Sequence, residues 1–492
     1  MTLPSLSPAH LNRRPQPRIL QFGGGNFLRG FMDWKIDRLN EASGSDWGVV
    51  ILRSLGSTDG SALNAQGGLY TVVSRGIGAD GTAQSHSRLV GSVLAELSCA
   101  TDWDRVVQLA RNPMVEVILS NTTEAGIAYV AGQGIGDAPP ASFPAKLTRL
   151  LVERWRALGH LPHMGWQVLP CELTENCGDK LRDLVLRHAT EWAVGQDCLA
   201  WIAQQTVFYN TLVDRIVTGH PAPKALEELE QSLGYRDPCL TTAELFHLLV
   251  IESPPDKPAF KLRLAEHDTG TIEVPDAAPY RLRKVAILNG AHTALCPLAL
   301  LCGVQTVGEA MAQPSLLSLL HRVLAEEIKP FVPLPQADLD AFADDVLRRF
   351  ANPFIQHRWY DISLNGLAKY RDRLLGRVLA YQTRHAAPPP ILSLSLAGWL
   401  VFYLGRFDGA QALPPRDQAP VLALIAHLRG LPDTTAIVTA FLADVSLWGQ
   451  SIATPDLVAT VAADFDFLTQ QPVSFAALLA ITSNAYPARA QP

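Results

Sequence analysis

The sequence predicts the α/β fold class: a doubly wound parallel sheet domain followed by a mostly α-helical C-terminal domain. Short apolar runs alternate with amphipathic helical patterns through the first half of the chain, which is typical of a parallel sheet covered by helices. From Arg281 onward, nearly every segment has helical periodicity. Because 492 residues exceed what one hydrophobic core usually supports, we expect two domains, residues 1–280 and residues 281–492.

The composition is that of a well-packed globular protein, and it limits the partners. Hydrophobic residues make up 48% of the chain, charged residues make up 18%, and the formal net charge is −6. Without an excess of basic residues, we expect no nucleic-acid binding. The seven cysteines are odd in number and form no Cys-x-x-Cys pair, which argues against a disulfide framework and a closed zinc site. We therefore expect no metal and a reducing, cytoplasmic location.

Two segments bear on membrane contact. The N-terminus has no apolar core of the kind that a signal peptide needs. The most apolar later run, residues 391–404, is interrupted by two serines and a glycine and is too short to span a bilayer. A buried helix is predicted there, and no membrane partner is expected.

The first ordered feature is an apolar strand at residues 18–22 that runs directly into a glycine-rich turn, residues 23–30, and then into an amphipathic helix ending near Asn40. Strand, glycine turn and helix together predict a Rossmann-like dinucleotide site, because glycines admit a pyrophosphate and the helix N-terminus supplies free N–H groups. Leu28 replaces the third glycine of the usual pattern, so a tight turn without a ligand stays the alternative. The candidate cofactor-binding residues are Phe22, Gly23, Gly24, Gly25, Asn26 and Phe27.

A second strand is predicted at residues 48–52, and Arg53 follows it. NAD-binding sheets usually carry an acidic residue at this point, where it accepts hydrogen bonds from the ribose hydroxyls. The arginine is expected to stack on adenine or to meet a 2′-phosphate, so the choice between NAD and NADP stays open. A solvated arginine at a strand end is the alternative.

Polar residues follow two further predicted strands, at the carboxyl edge where open α/β sheets bind ligands. Ser120, Asn121 and Thr122 are predicted to line the nicotinamide ribose or the substrate mouth, with an ordinary polar turn as the alternative. After a later strand, Glu172 and Asn176 are both candidates to face the cleft. The strands are predicted at residues 69–74, 115–119 and 166–169, with helices at residues 144–158 and 178–194.

Asn210 and Asp214 lie four residues apart in the polar segment that follows these elements. We predict that they bind substrate. An internal ion pair between Asp214 and Arg215, with an amide nearby, is the alternative. Between residues 220 and 280 eight prolines interrupt the pattern, and no element is predicted with any clarity there.

The first helix after residue 281 carries three polar residues, Lys284, Asn289 and His292, on an otherwise apolar pattern. On α-helical geometry they fall within an arc of about 140° on one face. We expect this face to line a cleft between the two domains. Later helices are predicted most clearly at residues 316–328, 339–350, 371–385, 419–429 and 434–442.

These three residue types suit the reduction of a ketone by hydride, which leaves negative charge on the oxygen and therefore needs a proton donor and a hydrogen bond at that atom. Lys284 is the predicted general acid/base, because a lysine donates a proton when burial or a neighbouring cation lowers its pKa toward neutrality. Asn289 is predicted to stabilise the oxyanion, and His292 to bind a substrate hydroxyl or to orient the lysine. Considered singly, a surface lysine, a helix-capping asparagine and a core histidine are the alternatives.

Six motifs in order carry a resemblance to a known family. They are residues 23–30, 120–126, 170–173, 210–216, Lys284-x4-Asn289-x2-His292 and residues 349–353. With them the chain resembles the long-chain polyol (mannitol) dehydrogenase family over nearly its whole length. The first, third and fifth motifs are most similar to its tagaturonate reductase (altronate oxidoreductase) branch.

The resemblance implies a zinc-independent, NAD-linked oxidoreductase in which Lys284 is the acid/base and Asn289 polarises the carbonyl. It also places His292 and Lys369 near the substrate. Mannitol-type members of the family have an asparagine at the position of Leu173 and an arginine at the position of Asp361. These departures favour a substrate that ends in a carboxylate.

A carboxylate substrate calls for a cation. We expect at least one of Arg358, Lys369 and Arg371 to lie in the cleft and bind it. The resemblance implies the NAD(H)-dependent interconversion of a keto hexuronate and a hexonate, D-tagaturonate and D-altronate, in hexuronate (galacturonate) catabolism. Fructuronate reductase and a mannitol-type polyol 2-dehydrogenase are the alternatives within the enzyme class. A non-catalytic dinucleotide-binding sensor is the alternative from another class, and a monomer or small homo-oligomer is expected.

Overall fold

The computed structural model describes residues 3–7, 14–54, 56, 58–122, 124–407, 413–470 and 473–484, with the backbone alone at residues 124, 470, 475 and 481–484. The chain divides into two compact units. The first comprises Met1–Gly78 and Ala83–Ala277, and the second comprises Ala79–Thr82 and Ala278–Pro492. Every strand among the described residues lies in the first unit, and the second unit is helical.

The first unit is built around a six-stranded parallel sheet. The described residues contain thirteen strands: β1 (Gln16–Phe22), β2 (Trp47–Arg53), β3 (Tyr70–Ile77), β4 (Ala83–Val90), β5 (Val93–Ser98), β6 (Val117–Ser120), β7 (Gln167–Pro170), β8 (Val207–Phe208), β9 (Asn210–Asp214), β10 (Val217–Gly219), β11 (Thr241–Glu244), β12 (Leu248–Glu252) and β13 (Thr271–Val274). The six strands of the parallel sheet lie in the order β5-β2-β1-β6-β7-β8. This is the order of a doubly wound dinucleotide-binding sheet, which reverses beside the first strand. The predicted fold class is confirmed.

Both faces of this sheet are buried, because successive side chains of a strand point to opposite sides. In β1, Ile19 packs into one hydrophobic cluster and Leu20 into another. In β6, Val117 and Ile118 divide between the same two clusters. The continuous apolar runs that predicted these strands follow from this double burial.

Two smaller sheets complete the first unit, with strand orders β10-β11-β3-β4 and β13-β12-β9. The sequence does not predict β4, β5 or the strands that lie between residues 207 and 274. β4 is mostly exposed and polar, and it is held by antiparallel pairing along the whole of β3. Since this pairing is formed between backbones, the side chains of β4 need no apolar pattern to reveal it.

Helices cover the sheets of the first unit, and the two predicted at residues 144–158 and 178–194 are confirmed close to their expected bounds. The first helix runs without a break over residues 26–43 and contains a π-helical turn. The helical segments are Asn26–Leu28, Arg29–Asp33 (π), Trp34–Ser43, Ala62–Ala65, Trp103–Ala110, Glu124–Gly126 (3₁₀), Phe143–Leu158, Cys177–Glu191, Gln196–Gln205, Pro223–Leu233 and Leu264–His267.

The second unit is an assembly of helices, as the periodicity beyond residue 281 predicts. Its segments are Ala278–Arg283, Lys284–Asn289 (π), Gly290–Leu301, Val307–Met311, Pro314–Arg322, Val323–Ile328 (π), Lys329–Phe331 (3₁₀), Gln336–Phe350, Trp359–Ile362, Gly366–Tyr370, Arg371–Leu375 (π), Gly376–His385, Pro390–Leu404, Ala419–Leu428, Thr434–Ala443, Val445–Trp448, Pro455–Gln470 and Phe475–Asn484. All residues from 391 to 404 are buried, so the predicted buried helix is confirmed.

The helix Ala278–Leu301 is a long, mostly buried helix of the second unit. It is long and apolar enough to cross a membrane, but 83% of its most apolar stretch is buried inside the structure, as in the core helix of a globular domain. Pro297 within it has no N–H to offer the carbonyl of Thr293, and the indole Nε1 of Trp399 donates to that carbonyl instead, at 3.1 Å. A contact from the helix Pro390–Leu404 thus replaces the missing helical hydrogen bond.

Candidate functional site

The glycine turn begins where the strand order of the large sheet reverses. Phe22, the last residue of β1, pairs with Leu52 of β2 on one side and with Ser120 of β6 on the other. The backbone N–H of Gly23 donates to Leu52 O at 3.1 Å, and that of Asn121 donates to Phe22 O at 3.0 Å. The ends of three strands are thereby joined at the point where doubly wound sheets bind ligands.

The three glycines of the turn differ in the space that a side chain would have at each position. Gly23 has φ +110°, and a Cβ there would lie 2.6 Å from Asn121 O, so no other residue fits without a shift of the backbone. A Cβ on Gly24 would lie 2.9 Å from Glu96 Oε1. At Gly25 no described heavy atom lies within 4 Å of the Cβ position. Backbone geometry therefore requires glycine at position 23, a side chain at position 24 would displace the Glu96 carboxylate, and position 25 faces open space.

No side chain of the described residues caps the helix after the turn, and its first N–H groups have no helical carbonyl to bond. Gly25 is its N-cap in extended conformation and supplies no side-chain acceptor. Asn26 is exposed and accepts a hydrogen bond from Arg29, whereas Phe27 is half-buried and stacks on Phe31 with ring centroids 5.2 Å apart. Free N–H groups and the helix dipole both favour negative charge at this end. This donor set, with the open space at Gly25, fits a pyrophosphate.

Arg53 is paired with an acidic residue that the sequence analysis missed. Its guanidinium lies 3.8 Å from the carboxylate of Glu96 on the neighbouring strand β5. Glu96 also accepts a hydrogen bond from Ser61 Oγ at 2.8 Å, and its backbone is bonded to the side chain of Asn64. Because Glu96 also borders Gly24, it supplies a carboxylate beside the turn. Its role was not visible in the sequence, since β5 was not predicted.

The polar residues after β6 are held by another carboxylate. Glu172, which is 2% exposed, accepts hydrogen bonds from Ser120 Oγ at 3.0 Å, from Thr122 N at 2.9 Å and from Thr122 Oγ1 at 3.1 Å. Asn121 Nδ2 donates to Cys171 O at 2.6 Å. These side chains bind the ends of β6 and β7 to each other, and their contact with a cofactor stays a prediction. Thr123 lies outside the described residues.

Asn210 and Asp214 begin and end β9, and both are buried. The Asn210 side chain caps the helix Cys177–Glu191: its Oδ1 accepts from the backbone N–H of Gly178 at 3.0 Å and of Asp179 at 3.1 Å. Its Nδ2 donates to the carboxylates of Asp179 and Glu252. The structure thus gives Asn210 a capping role within the first unit, and substrate binding by Asn210 and Asp214 stays a prediction.

Lys284 and Asn289 are the first and last residues of a π-turn, so the α-helical geometry expected from the sequence is wrong over this segment. The backbone N–H of Gly290 donates to the carbonyl of Val285, five residues before it. In such a turn residues five apart lie nearly in line along the helix, which brings the two half-buried side chains to one side. π-turns are rare and occur frequently at functional sites.

His292 follows Asn289 by about one turn and is 8% exposed. Its ring stacks on Phe350 with centroids 4.1 Å apart and meets His357 edge-on at 5.0 Å. Burial lowers the pKa of His292 well below its ordinary value, and neighbouring positive charges, His357 first, lower it further. The imidazole is therefore neutral. Its Nε2 is buried and has no hydrogen-bond partner among the described residues.

The three cations that the sequence suggested for a carboxylate differ in their surroundings. Arg358 is exposed. Arg371 pairs with Asp372 at 2.8 Å and donates to Leu447 O at 3.3 Å. Lys369 is half-buried, and its charge is one of those that lower the pKa of His292. Of the three, Lys369 is the one that the fold places in the electrostatic environment of the histidine.

The sequence analysis missed Arg373, which contacts the same helix. Its Nη1 donates to Thr293 Oγ1 at 3.1 Å and reaches Asn289 O at 3.5 Å. Thr293 Oγ1 in turn donates to Asn289 O at 2.9 Å. The available signal was its spacing, because Arg373 follows Lys369 by four residues and so shares its helix face.

The cysteines and acidic residues do not form a metal centre in the part of the chain that the structure describes. No three His, Cys, Asp or Glu side chains are grouped there as possible ligands. All seven cysteines are free thiols, and six of them are buried.

Comparison with known proteins agrees with this architecture. The family model of the mannitol dehydrogenase Rossmann domain matches residues 17–263, and that of the mannitol dehydrogenase C-terminal domain matches residues 276–469. The chain belongs to the mannitol dehydrogenase family. The resemblance seen in the motifs is thereby confirmed.

Relatives within the family and solved structures extend the comparison. The chain is 44% identical over 468 residues to an altronate oxidoreductase of Klebsiella pneumoniae, covering 93% of this chain and 96% of the relative. It is 45% identical to an altronate oxidoreductase of Cronobacter sakazakii, covering 94% and 97%. A substrate-free D-sorbitol dehydrogenase has the same fold, with a TM-score of 0.78 at 20% identity and 98% coverage of both chains. Mannitol 2-dehydrogenase of Pseudomonas fluorescens gives a TM-score of 0.66 at 20% identity, covering 98% and 96%.

Proposed function

We propose that this protein is an NAD(H)-dependent oxidoreductase that interconverts D-tagaturonate and D-altronate. The observation that carries the proposal is the identity of 44–45% over at least 93% of the chain to relatives named altronate oxidoreductase. These names favour the altronate branch over fructuronate reductase. The glycine turn at the strand reversal, with open space at Gly25 and an uncapped helix N-terminus, supports the choice of a dinucleotide cofactor.

NADH held by the glycine turn would supply the hydride for reduction of the carbonyl carbon. Lys284 gives its proton to the carbonyl oxygen, so that the ketone becomes an alcohol. The side-chain amide of Asn289 donates a hydrogen bond to that oxygen while its negative charge develops. Alignment of the two residues along one π-turn supports this division of roles. The neutral His292, with its unpartnered Nε2, is suited to a hydrogen bond with a neighbouring substrate hydroxyl.

In the oxidative direction the same residues act in reverse, and Lys284 takes the hydroxyl proton as a general base. The residues of the turn, Phe22 to Phe27, are proposed to hold the cofactor, with Arg53, Ser120, Asn121 and Thr122 near it. We propose a cytoplasmic location, and a monomer or small homo-oligomer as the assembly.

The proposal is tested by the initial rate of NADH oxidation with D-tagaturonate, D-fructuronate and D-fructose as separate substrates. We expect the highest kcat/KM with D-tagaturonate. Turnover of none of the three by protein that binds NADH would overturn the enzymatic proposal in favour of a dinucleotide-binding sensor. A higher kcat/KM with D-fructuronate would move the protein to the other branch of the family.

A further inference from the structure

Lys369 and Arg373, on the helix over residues 366–385, have no counter-ion among the residues that the structure describes. Lys369 and Arg373 are four residues apart, and both are half-buried. Within the described part of the chain, neither forms an ion pair with a carboxylate, and Lys369 Nζ donates only to Ile362 O, at 2.9 Å. Partly burying two neighbouring positive charges without a counter-ion costs free energy, so this pair calls for an explanation.

The acidic residues whose charges reach these cations are engaged elsewhere. Asp372, which acts on Arg373, is paired with Arg371 at 2.8 Å. Asp417, which acts on Lys369, accepts hydrogen bonds from the hydroxyl of Tyr403 and the backbone N–H of Gln418. The local excess of positive charge is therefore not neutralised by the nearest carboxylates.

The two cations lie close to Asn289 and His292, two of the predicted site residues on the second unit. Arg373 is held by Thr293 Oγ1 and lies beside the carbonyl of Asn289, and one guanidinium nitrogen, Nη1, makes both contacts. Both charges lower the pKa of His292, whose Nε2 is buried without a partner. Burial lowers the pKa of Lys369, and the charge of Arg373 lowers it further. An anion bound beside the two cations would stabilise both positive charges and raise this pKa again.

We propose that Lys369 and Arg373 together bind the carboxylate of the sugar-acid substrate, with His292 beside them as a hydrogen-bonding neighbour. This inference rests on the proposed function and names the groups that distinguish a sugar acid from an uncharged sugar. Arg373 offers its remaining N–H groups to one side of the carboxylate, and Lys369 offers its ammonium as a point charge. Arg358 and Arg371 have no part in this subsite.

The test compares charged and uncharged substrates in the full-length enzyme with NADH. The variants are Arg373→Gln, Arg373→Lys and Lys369→Met, and Arg384→Gln is the matched control, since Arg384 is an exposed arginine on the same helix. We expect Arg373→Gln to raise KM for D-tagaturonate by about 10- to 100-fold, the size expected from loss of a charged hydrogen bond. The kcat/KM for D-fructose should change by less than about threefold, and Arg373→Lys should recover part of the loss.

Each outcome has a distinct meaning. An equal loss of kcat on both substrates would assign Arg373 to the support of Asn289 and overturn the carboxylate subsite. Unchanged kinetics with D-tagaturonate would overturn it as well. If the wild-type enzyme reduces no keto acid, the proposed function fails before the variants are compared. Where turnover of D-fructose is too slow, calorimetric binding of D-altronate and of the uncharged D-altritol to the NADH complex replaces it, with the same expected contrast.

Discussion

The side chain of Gln21 donates a hydrogen bond to the buried carboxyl group of Asp33 across 3.2 Å, and the same amide nitrogen donates to Gly23 O at 3.1 Å. The glycine turn is thus bonded to a titratable group in the core. Burial raises the pKa of Asp33 to about 7, although hydrogen bonds from Gln21 and Tyr70 act in the opposite direction. The protonation of this carboxyl group is therefore linked to the stability of the first unit.

The raised pKa predicts that Asp33 weakens the fold as the pH increases. In the unfolded chain the carboxyl ionises near pH 3.8, and in the folded chain near pH 7. The folded state therefore holds the proton more tightly, and stability is lost as the pH rises from about 4 to 7, by at most about 4 kcal/mol. Asp33→Asn should raise the apparent melting temperature at pH 8 and change it little at pH 4. Equal effects at both pH values would contradict this assignment.

Gly23→Ala should disturb the glycine turn. An alanine at φ +110° is strained, and its Cβ would approach Asn121 O to 2.6 Å. We expect a lower melting temperature and an NADH affinity reduced by about tenfold or more, measured by fluorescence titration. Gly44→Ala is the control, because Gly44 also has positive φ, at +68°, but no described atom lies near its Cβ position. It should lower stability by about 1 kcal/mol and leave NADH affinity unchanged. Similar NADH binding by both variants would be evidence against the turn as the cofactor site.

Lys284→Ala should remove most of the catalytic rate. Loss of a general acid/base lowers kcat by about 10²-fold or more, while NADH binding, measured separately, stays near the wild-type value. Lys284→Arg is the informative partner variant, because it keeps the positive charge but holds its proton at all accessible pH values. Near-normal turnover in either variant would show that another group transfers the proton.

Asn210→Ala should destabilise the first unit. The substitution removes the cap of the helix Cys177–Glu191 and leaves the buried N–H of Gly178 and the partly buried N–H of Asp179 without their acceptor, at a cost of roughly 2 kcal/mol. Thermal denaturation measures this loss. If Asn210 also binds substrate, KM for the sugar acid rises in the same variant. An unchanged melting temperature would contradict the capping role.

The sequence was most informative where structure is local. The apolar run that contains Ile19 and Leu20 predicted the first strand, and the glycines after it predicted the turn, because apolar patterns and glycine geometry depend on near neighbours. The structure then showed that the two faces of this strand pack into different clusters. β4 was missed because its pairing partner, not its own pattern, makes it a strand. Glu96 was missed for a related reason, since its relevance comes from a neighbouring strand that the chain order does not reveal.

By itself the sequence determined the α/β class, the order of sheet and helical regions, the glycine turn and the polar trio Lys284, Asn289 and His292. The tertiary structure decided the local helix geometry of these groups, their hydrogen-bond partners and their charged neighbours. It converted the first turn of the trio into a π-turn and engaged Ser120 and Thr122 with Glu172. It also placed Lys369 and Arg373 where no carboxylate of the described residues forms an ion pair with them. The physical reason is that local periodicity is encoded within a few residues, whereas hydrogen-bond partners and charge neighbours come from residues distant in the chain.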